Sequence, residues 1–119
     1  ARDETALLTE AARQIAAYFD GTAKVFDLPI AFPPGLQGEV MRAMCAIPFG
    51  ETRTYGDLAK DLGAPAQAIG QACGGNPTPV IVPCHRILGA SGLGGYSAPG
   101  GVETKIALLK HEGAASLLI

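Results

Sequence analysis

"TYGDLAKDLGAPAQAIGQACGGN", residues 54–76, is the stretch that decides the fold. Thr54 followed by Asp57 is a capping pair for a short helix. Gly63 supplies the stop, and Pro65 suits the opening of a second short helix. That second helix closes at Gly74-Gly75. Two short helices on a tight turn make a helix-turn-helix. The second helix is lined with Ala66, Ala68, Gly70 and Ala72, so it can approach another surface closely. The same small residues would equally serve close helix–helix packing in a core, and the pattern alone does not choose between these uses.

Immediately downstream stands "NPTPVIVPCHRILG", residues 76–89. Val80-Ile81-Val82 reads as a buried strand that stops at Pro83 and delivers Cys84 beside His85. A free cysteine is by default a buried structural thiol. Three neighbours argue for more: Pro83 fixes the backbone, His85 can hold a proton or orient a water, and the charge on Arg86 favours the thiolate. Such surroundings lower a thiol from about 8.5 and create the nucleophilic form. Successive strand side chains point to opposite faces, so Cys84 and His85 would need a turn or a bridging water to cooperate. A histidine acting as base wants an orienting carboxylate. Glu103 and Glu112 on the last helix are the candidates, against the ordinary fate of a solvated surface glutamate. Zinc would need about four ligands. Cys84, His85, His111 and two further cysteines show no ligand spacing, so no metal is expected.

The flanking segments complete a mixed pattern. A capped helix is expected from Asp3 to Asp20, with Leu8, Ala11, Ala12, Ile15 and Phe19 at helical spacing and Gly21 as the stop. "KVFDLPI" (24–30) alternates Phe26, Leu28 and Ile30 like a strand, with Pro29 marking an edge or an end. "AFPPG" is a linker. A helix from about Leu36 to Ala46 turns Leu36, Val40, Ala43, Met44 and Ile47 to a core. "RILGASGLGGYS" reads as a hairpin around Gly89–Gly92. "VETKIALLKHEG" reads as a final helix with Val102, Ile106 and Leu109 on one face and Gly113 as its stop.

With 119 residues, 48% hydrophobic and 17% charged, the composition is globular and long enough for a core without disulfide staples. The three cysteines, Cys45, Cys73 and Cys84, are odd in number and lack C-x-x-C spacing. A reducing, cytoplasmic home follows. Neither a signal peptide nor a transmembrane run is evident, so no membrane partner is expected. A net charge of −2 leaves no basic footprint for nucleic acid. DNA contact would rest on a local patch, a helix N-terminus or shape.

"NPTPVIVPCHRILG" resembles the active-site segment of the O6-alkylguanine-DNA alkyltransferases, whose signature is Pro-Cys-His-Arg followed by Val or Ile. "IPFGETRTYGDLAKDLG" is similar to the first helix of that family's helix-turn-helix, "GGYS" to its active-site loop and "KIALLKHEG" to its closing helix. These segments stand in the family's order over about residues 25–113. The resemblance implies an α/β (α+β) fold: a helix-rich, winged helix-turn-helix-like domain over 31–119, with a short strand or hairpin at the active site. Residues 1–30 would be the last helix and strand of an N-terminal sheet-and-helix domain.

The implied activity is irreversible, single-turnover transfer of an alkyl group from O6 of guanine in double-stranded DNA to the protein's own cysteine. No cofactor is implied, and the protein would act as a monomer. Cys84 would be the nucleophile, His85 the base through a water, and Glu112 the group that holds His85. Asn76 would order the turn, and Tyr55 would protonate the departing guanine. Val82, Pro83, Gly95, Tyr96 and Ser97 would join Tyr55 around the flipped base. Thr54, Ala66, Gln67, Ala68, Gly70 and Arg86 would meet DNA. Gln67 stands where the family usually carries a flipping arginine, Gly74 where a basic residue is common, and Met41 where a tryptophan is common. Two other classes compete. A non-catalytic sensor of alkylated DNA has this fold but replaces the cysteine, and Cys84 is present. A cysteine hydrolase would need an acyl-substrate pocket that the sequence does not display.

Overall fold

The structure is a computed structural model and describes residues 4–89, 92–96 and 100–114. The chain divides into two compact units, Ala1–Ala31 and Phe32–Ile119.

In the first unit, α1 spans Glu4–Phe19. The segment after it forms no strand, which corrects the expectation for 24–30. The backbone of Asp27 is instead held by a side chain. Gln14 Nε2 donates to Asp27 O at 3.0 Å, and Asp27 N donates to Gln14 Oε1 at 2.8 Å. One amide thus satisfies the pair of groups that a neighbouring strand would have satisfied. The expected alternation survives: Phe26, Leu28 and Ile30 are half-buried between exposed neighbours. Tyr18 is buried against Phe26, with ring centroids 5.5 Å apart.

The second unit runs through α2 (Leu36–Cys45), β1 (Arg53–Thr54), α3 (Tyr55–Leu62), α4 (Ala66–Gly74), a 3₁₀ turn at Cys84–Arg86, β2 (Ile87–Leu88) and α5 (Gly101–His111). The α3 cap is the expected one. Asp57 N donates to Thr54 Oγ1 at 3.0 Å, and Thr54 N donates to Asp57 Oδ2 at 3.0 Å. Gly63 ends α3 in the left-handed region, where glycine has no steric penalty. Helices α2, α3 and α4 pack on one another. Val40, Met41 and Met44, Leu58, and Ile69 fill the space between them.

The segment after the Cys-His pair does not simply fold back on itself. Ile87 and Leu88 pair in parallel with Arg53 and Thr54, and of the expected hairpin the described residues retain an antiparallel bridge between Gly89 and Gly92. Strand β2 therefore ties the active-site segment to the start of α3. The expected face of the last helix is also rotated. Val102 is exposed, whereas Lys105, Leu108, Leu109 and Glu112 are buried. Polar partners, not apolar periodicity, choose that face, as the site shows.

Candidate active site

Val80-Ile81-Val82 is not a strand. Val82 N donates to Thr78 O at 2.9 Å, closing a tight turn. Val80 sits at a φ of 76°, an outlier for a β-branched residue that marks local strain. Asn76 orders this turn from within. Its Oδ1 accepts from Thr78 N at 3.0 Å, and its Nδ2 donates to Val82 O at 2.8 Å. Pro83, at φ −82° and ψ 70°, then makes an inverse γ-turn, and Cys84 N donates to Val82 O at 2.8 Å. The 3₁₀ turn follows directly. Cys84 and His85 therefore sit on consecutive tight turns, so the opposite-face rule for strands does not separate them.

His85 is fully buried. Its Nε2 lies 2.7 Å from Glu112 Oε2, while its Nδ1 is buried with no hydrogen-bond partner. Glu112 also takes Arg86. Arg86 Nε donates to Oε1 at 2.8 Å and Nη2 to Oε2 at 2.9 Å. Arg86 Nη1 donates to Ile47 O at 2.7 Å. This is a bidentate, charge-assisted pair inside the protein. The expectation of Arg86 at the DNA is thereby corrected, because its guanidinium is consumed by Glu112 and the Ile47 carbonyl. Its charge also reaches the Cys45 thiol, where it opposes the upward push of desolvation.

A cavity of about 190 Å³ opens beside Cys84. Tyr55, Gly95 and Tyr96 line it as expected, and Gly70, Cys73 and Gly74 complete the wall from α4. Val82 and Pro83, expected there, are buried in the turn and do not line it. Ser97 lies outside the described residues. Ala66 and Gln67 are exposed on the first turn of α4, and Ala68 is half-buried. Thr54 is occupied as the α3 cap. Glu103, the other candidate carboxylate, is exposed.

Burial raises the Tyr55 hydroxyl, with the charges of Cys73 and Cys84 adding to it. Tyr96 is raised further by burial, by the charge of Cys84 and by a hydrogen bond to it. Both phenols therefore keep their protons at neutral pH. Burial and the neighbouring Cys84 push the Cys73 thiol up to about 12.

Sequence reasoning missed Lys105. Its ammonium donates to Ile87 O at 2.6 Å, Leu93 O at 2.7 Å and Gly95 O at 3.0 Å. One cation thus pins the glycine-rich segment that forms a pocket wall to β2. Burial lowers it to about 8, against the opposing pull of Cys84 and Cys73. A lysine among helix-surface residues carries no signal of burial, since lysines are almost never fully buried. The one hint was its place one turn before Leu109 and two turns before Glu112. Among the described residues no group of three or more His, Cys, Asp or Glu is arranged to hold a metal. No helix among them is long and apolar enough to cross a membrane.

Residues 35–114 match the family described as "6-O-methylguanine DNA methyltransferase, DNA binding domain". A methylated-DNA–protein-cysteine methyltransferase of Methanosarcina acetivorans is 49% identical over 110 residues, which are 88% of this chain and 69% of that protein. The crystal structure of Mycobacterium tuberculosis OGT in complex with DNA superposes with a TM-score of 0.82 at 45% identity, covering 90% of this chain and 68% of that one. The structure of S. pombe Atl1 in complex with damaged DNA containing O6-carboxymethylguanine is more distant, at 31% identity and a TM-score of 0.57, over 65% of this chain and 74% of that one. This chain spans about two thirds of the length of the curated relatives it matches. It belongs to the methylated-DNA–protein-cysteine methyltransferase family.

Proposed function

We propose that this chain repairs DNA by moving an alkyl group from O6 of guanine to Sγ of Cys84. The observation that carries the reading is the unpartnered Nδ1 of buried His85, the residue next to a pocket-lining thiol. With Glu112 accepting from Nε2–H, the lone pair of the ring is left at Nδ1. A water between Nδ1 and Sγ takes the thiol proton, so the imidazole acts as the base and Glu112 stabilises the imidazolium. The Sγ–C bond forms as the C–O6 bond breaks. Tyr55, protonated at neutral pH, gives the leaving guanine its proton. The product is a thioether, and no group in the site can reverse it, so each molecule reacts once.

The partner is double-stranded DNA, with the exposed first turn of α4 at the groove and the target base flipped into the pocket. Asn76 shapes the turn that presents Cys84, and Lys105 holds the pocket wall. The reaction as written consumes no cofactor. A cytoplasmic setting, which keeps the three free thiols reduced, completes the proposal.

The test is to incubate the protein with duplex DNA carrying O6-methylguanine, weigh it intact, then digest and map the methyl group. One methyl per molecule on Cys84 is expected. A methyl on Cys45 or Cys73, or continuing release of product, overturns the assignment.

A further inference from the structure

Two thiols share one pocket. Cys73 on α4 and Cys84 on the 3₁₀ turn both line the cavity of about 190 Å³. Both are free and buried. They also share their electrostatic neighbours. Tyr55 and Lys105 each feel the charge of both sulfurs, and Cys73 feels that of Cys84. Alkyl transfer uses one of these sulfurs and leaves the other without a task.

A buried thiol is ordinarily a small apolar side chain. The surroundings of Cys73 give it more scope. A disulfide needs Cα atoms about 4.4–6.8 Å apart, so a wall that carries one sulfur must be free to adjust. Cys73 sits on the last turn of α4, where Gly74 ends the helix and Gly75 caps it. Gly70 lies one turn earlier, and each glycine weakens a helix by about 1 kcal/mol against alanine. The end of α4 can therefore yield, while Cys84 is held by the hydrogen bond of its N–H to Val82 O at 2.8 Å. Hydrogen peroxide, little larger than a water molecule, fits the cavity between them.

We propose that Cys73 is the resolving thiol of Cys84, and that a hydroperoxide entering the empty pocket converts the pair to a disulfide that a dithiol reductant reopens. His85 takes the Cys84 proton, and Sγ attacks one peroxide oxygen. The O–O bond breaks, the peroxide is reduced by two electrons, and the departing hydroxide leaves as water with that proton. Cys84 is then a sulfenic acid. Cys73 Sγ attacks its sulfur, the S–S bond forms, and the S–O bond breaks. The oxygen leaves as a second water with the Cys73 proton. In reducing surroundings the two thiols persist. Without Cys73, further peroxide carries Cys84 to sulfinic and sulfonic acid, which ordinary thiols do not reverse. The pairing goes beyond alkyl transfer; only its consequence, an acceptor kept recoverable until it is used, rests on that reading.

The experiment treats the reduced full chain and its Cys73→Ala variant with hydrogen peroxide, then with dithiothreitol. Before reduction, the wild type is expected to lose two hydrogens in intact mass, and a digest without reductant to yield the Cys73 and Cys84 peptides joined. After reduction, it should accept methyl from duplex O6-methylguanine to nearly the extent of its own untreated sample. In Cys73→Ala that recovered fraction should be about tenfold lower, with Cys84 carrying the added oxygens of sulfinic or sulfonic acid. The wild-type peptide map decides the matter if the variant does not fold. Oxygens on wild-type Cys84 with no joined peptide, a bridge through exposed Cys45, or equal recovery in the two proteins overturns the pairing. A wild type that forms the bridge but accepts no methyl before oxidation overturns the alkyl-transfer reading and leaves the pairing standing.

Discussion

Glu112 shows how much one carboxylate can be asked to do. It accepts from His85 Nε2 and from two nitrogens of Arg86, all out of water. Considered as a partner of His85 alone, it would be a positioning group whose removal spares the fold. The Arg86 pair changes that expectation. Glu112→Gln leaves a buried guanidinium facing a neutral amide, and breaking a buried ion pair costs about 3–5 kcal/mol. The amide oxygen retains one bond, so the lower end of that range is expected. The variant should unfold at clearly lower urea than wild type. Where it remains folded, alkyl transfer should fall by about 10²-fold or more, because His85 loses the group that stabilises its charged form. Glu103→Gln, on an exposed carboxylate, should change neither measurement. Unfolding and single-turnover rates on the two variants check this, and equal effects would refute the assignment.

At the scale of the element, α4 combines two jobs along one short helix. Its later residues, Gly70, Cys73 and Gly74, face the pocket, while Ala66 and Gln67 on the first turn face outward. Gln67 is exposed and uncharged where the family usually has an arginine. Extruding a base costs a few kcal/mol, and the side chain that fills the hole returns part of it. An arginine would also stack and attract phosphate. Gln67→Arg should therefore raise the rate on duplex O6-methylguanine by about 3–30-fold, equivalent to roughly 0.7–2 kcal/mol. The gain should shrink as salt rises. The rate with free O6-benzylguanine, which needs no flipping, should stay level. An equal gain on both substrates would move Gln67 from the groove to the thiol site.

For the whole molecule, two buried groups give folding stability opposite pH slopes. Lys105 titrates near 8 in the folded protein and near 10.4 unfolded. Between those values the unfolded chain binds more protons, so stability rises with pH. Cys73 titrates at about 12 folded and near 8.5 unfolded. There the folded chain binds more protons, so stability falls as pH rises. The raised phenols of Tyr55 and Tyr96 add to that fall above about pH 10. The slopes of Lys105 and Cys73 oppose one another from about 8.5 to 10.4 and leave a fall beyond. Cys73→Ala should uncover the rise in that window, and Lys105→Met should make stability decline through it. Urea midpoints measured from pH 7.5 to 11 check both signs, with slopes compared because Lys105→Met also lowers stability at every pH.

The helix-turn-helix was legible in the amino-acid order because its signals are local. Thr54 and Asp57 cap one another across one turn, Gly63 relieves a left-handed residue, and Pro65 opens the next helix. The Cys84-His85 pair stood out for the same reason, as a short motif, whereas Asn76 and Tyr55 were singled out only through the family resemblance. What tertiary structure alone decided were contacts between distant residues whose types ordinarily face water. Arg86 reaches Glu112 across 26 positions, and Lys105 turns inward to three carbonyls. Apolar periodicity assigns such charges to the surface, so it placed Leu109 correctly in α5 but chose Val102 where Lys105 and Glu112 are buried. Asp27 found a glutamine instead of a strand, and β2 found β1 as a parallel neighbour. Backbone pairing is decided by which donors and acceptors packing brings within reach, and no local pattern encodes that. Cys73 joined the pocket the same way: its helix was predictable, but what its face would meet depended on where the Cys84 turn came to rest.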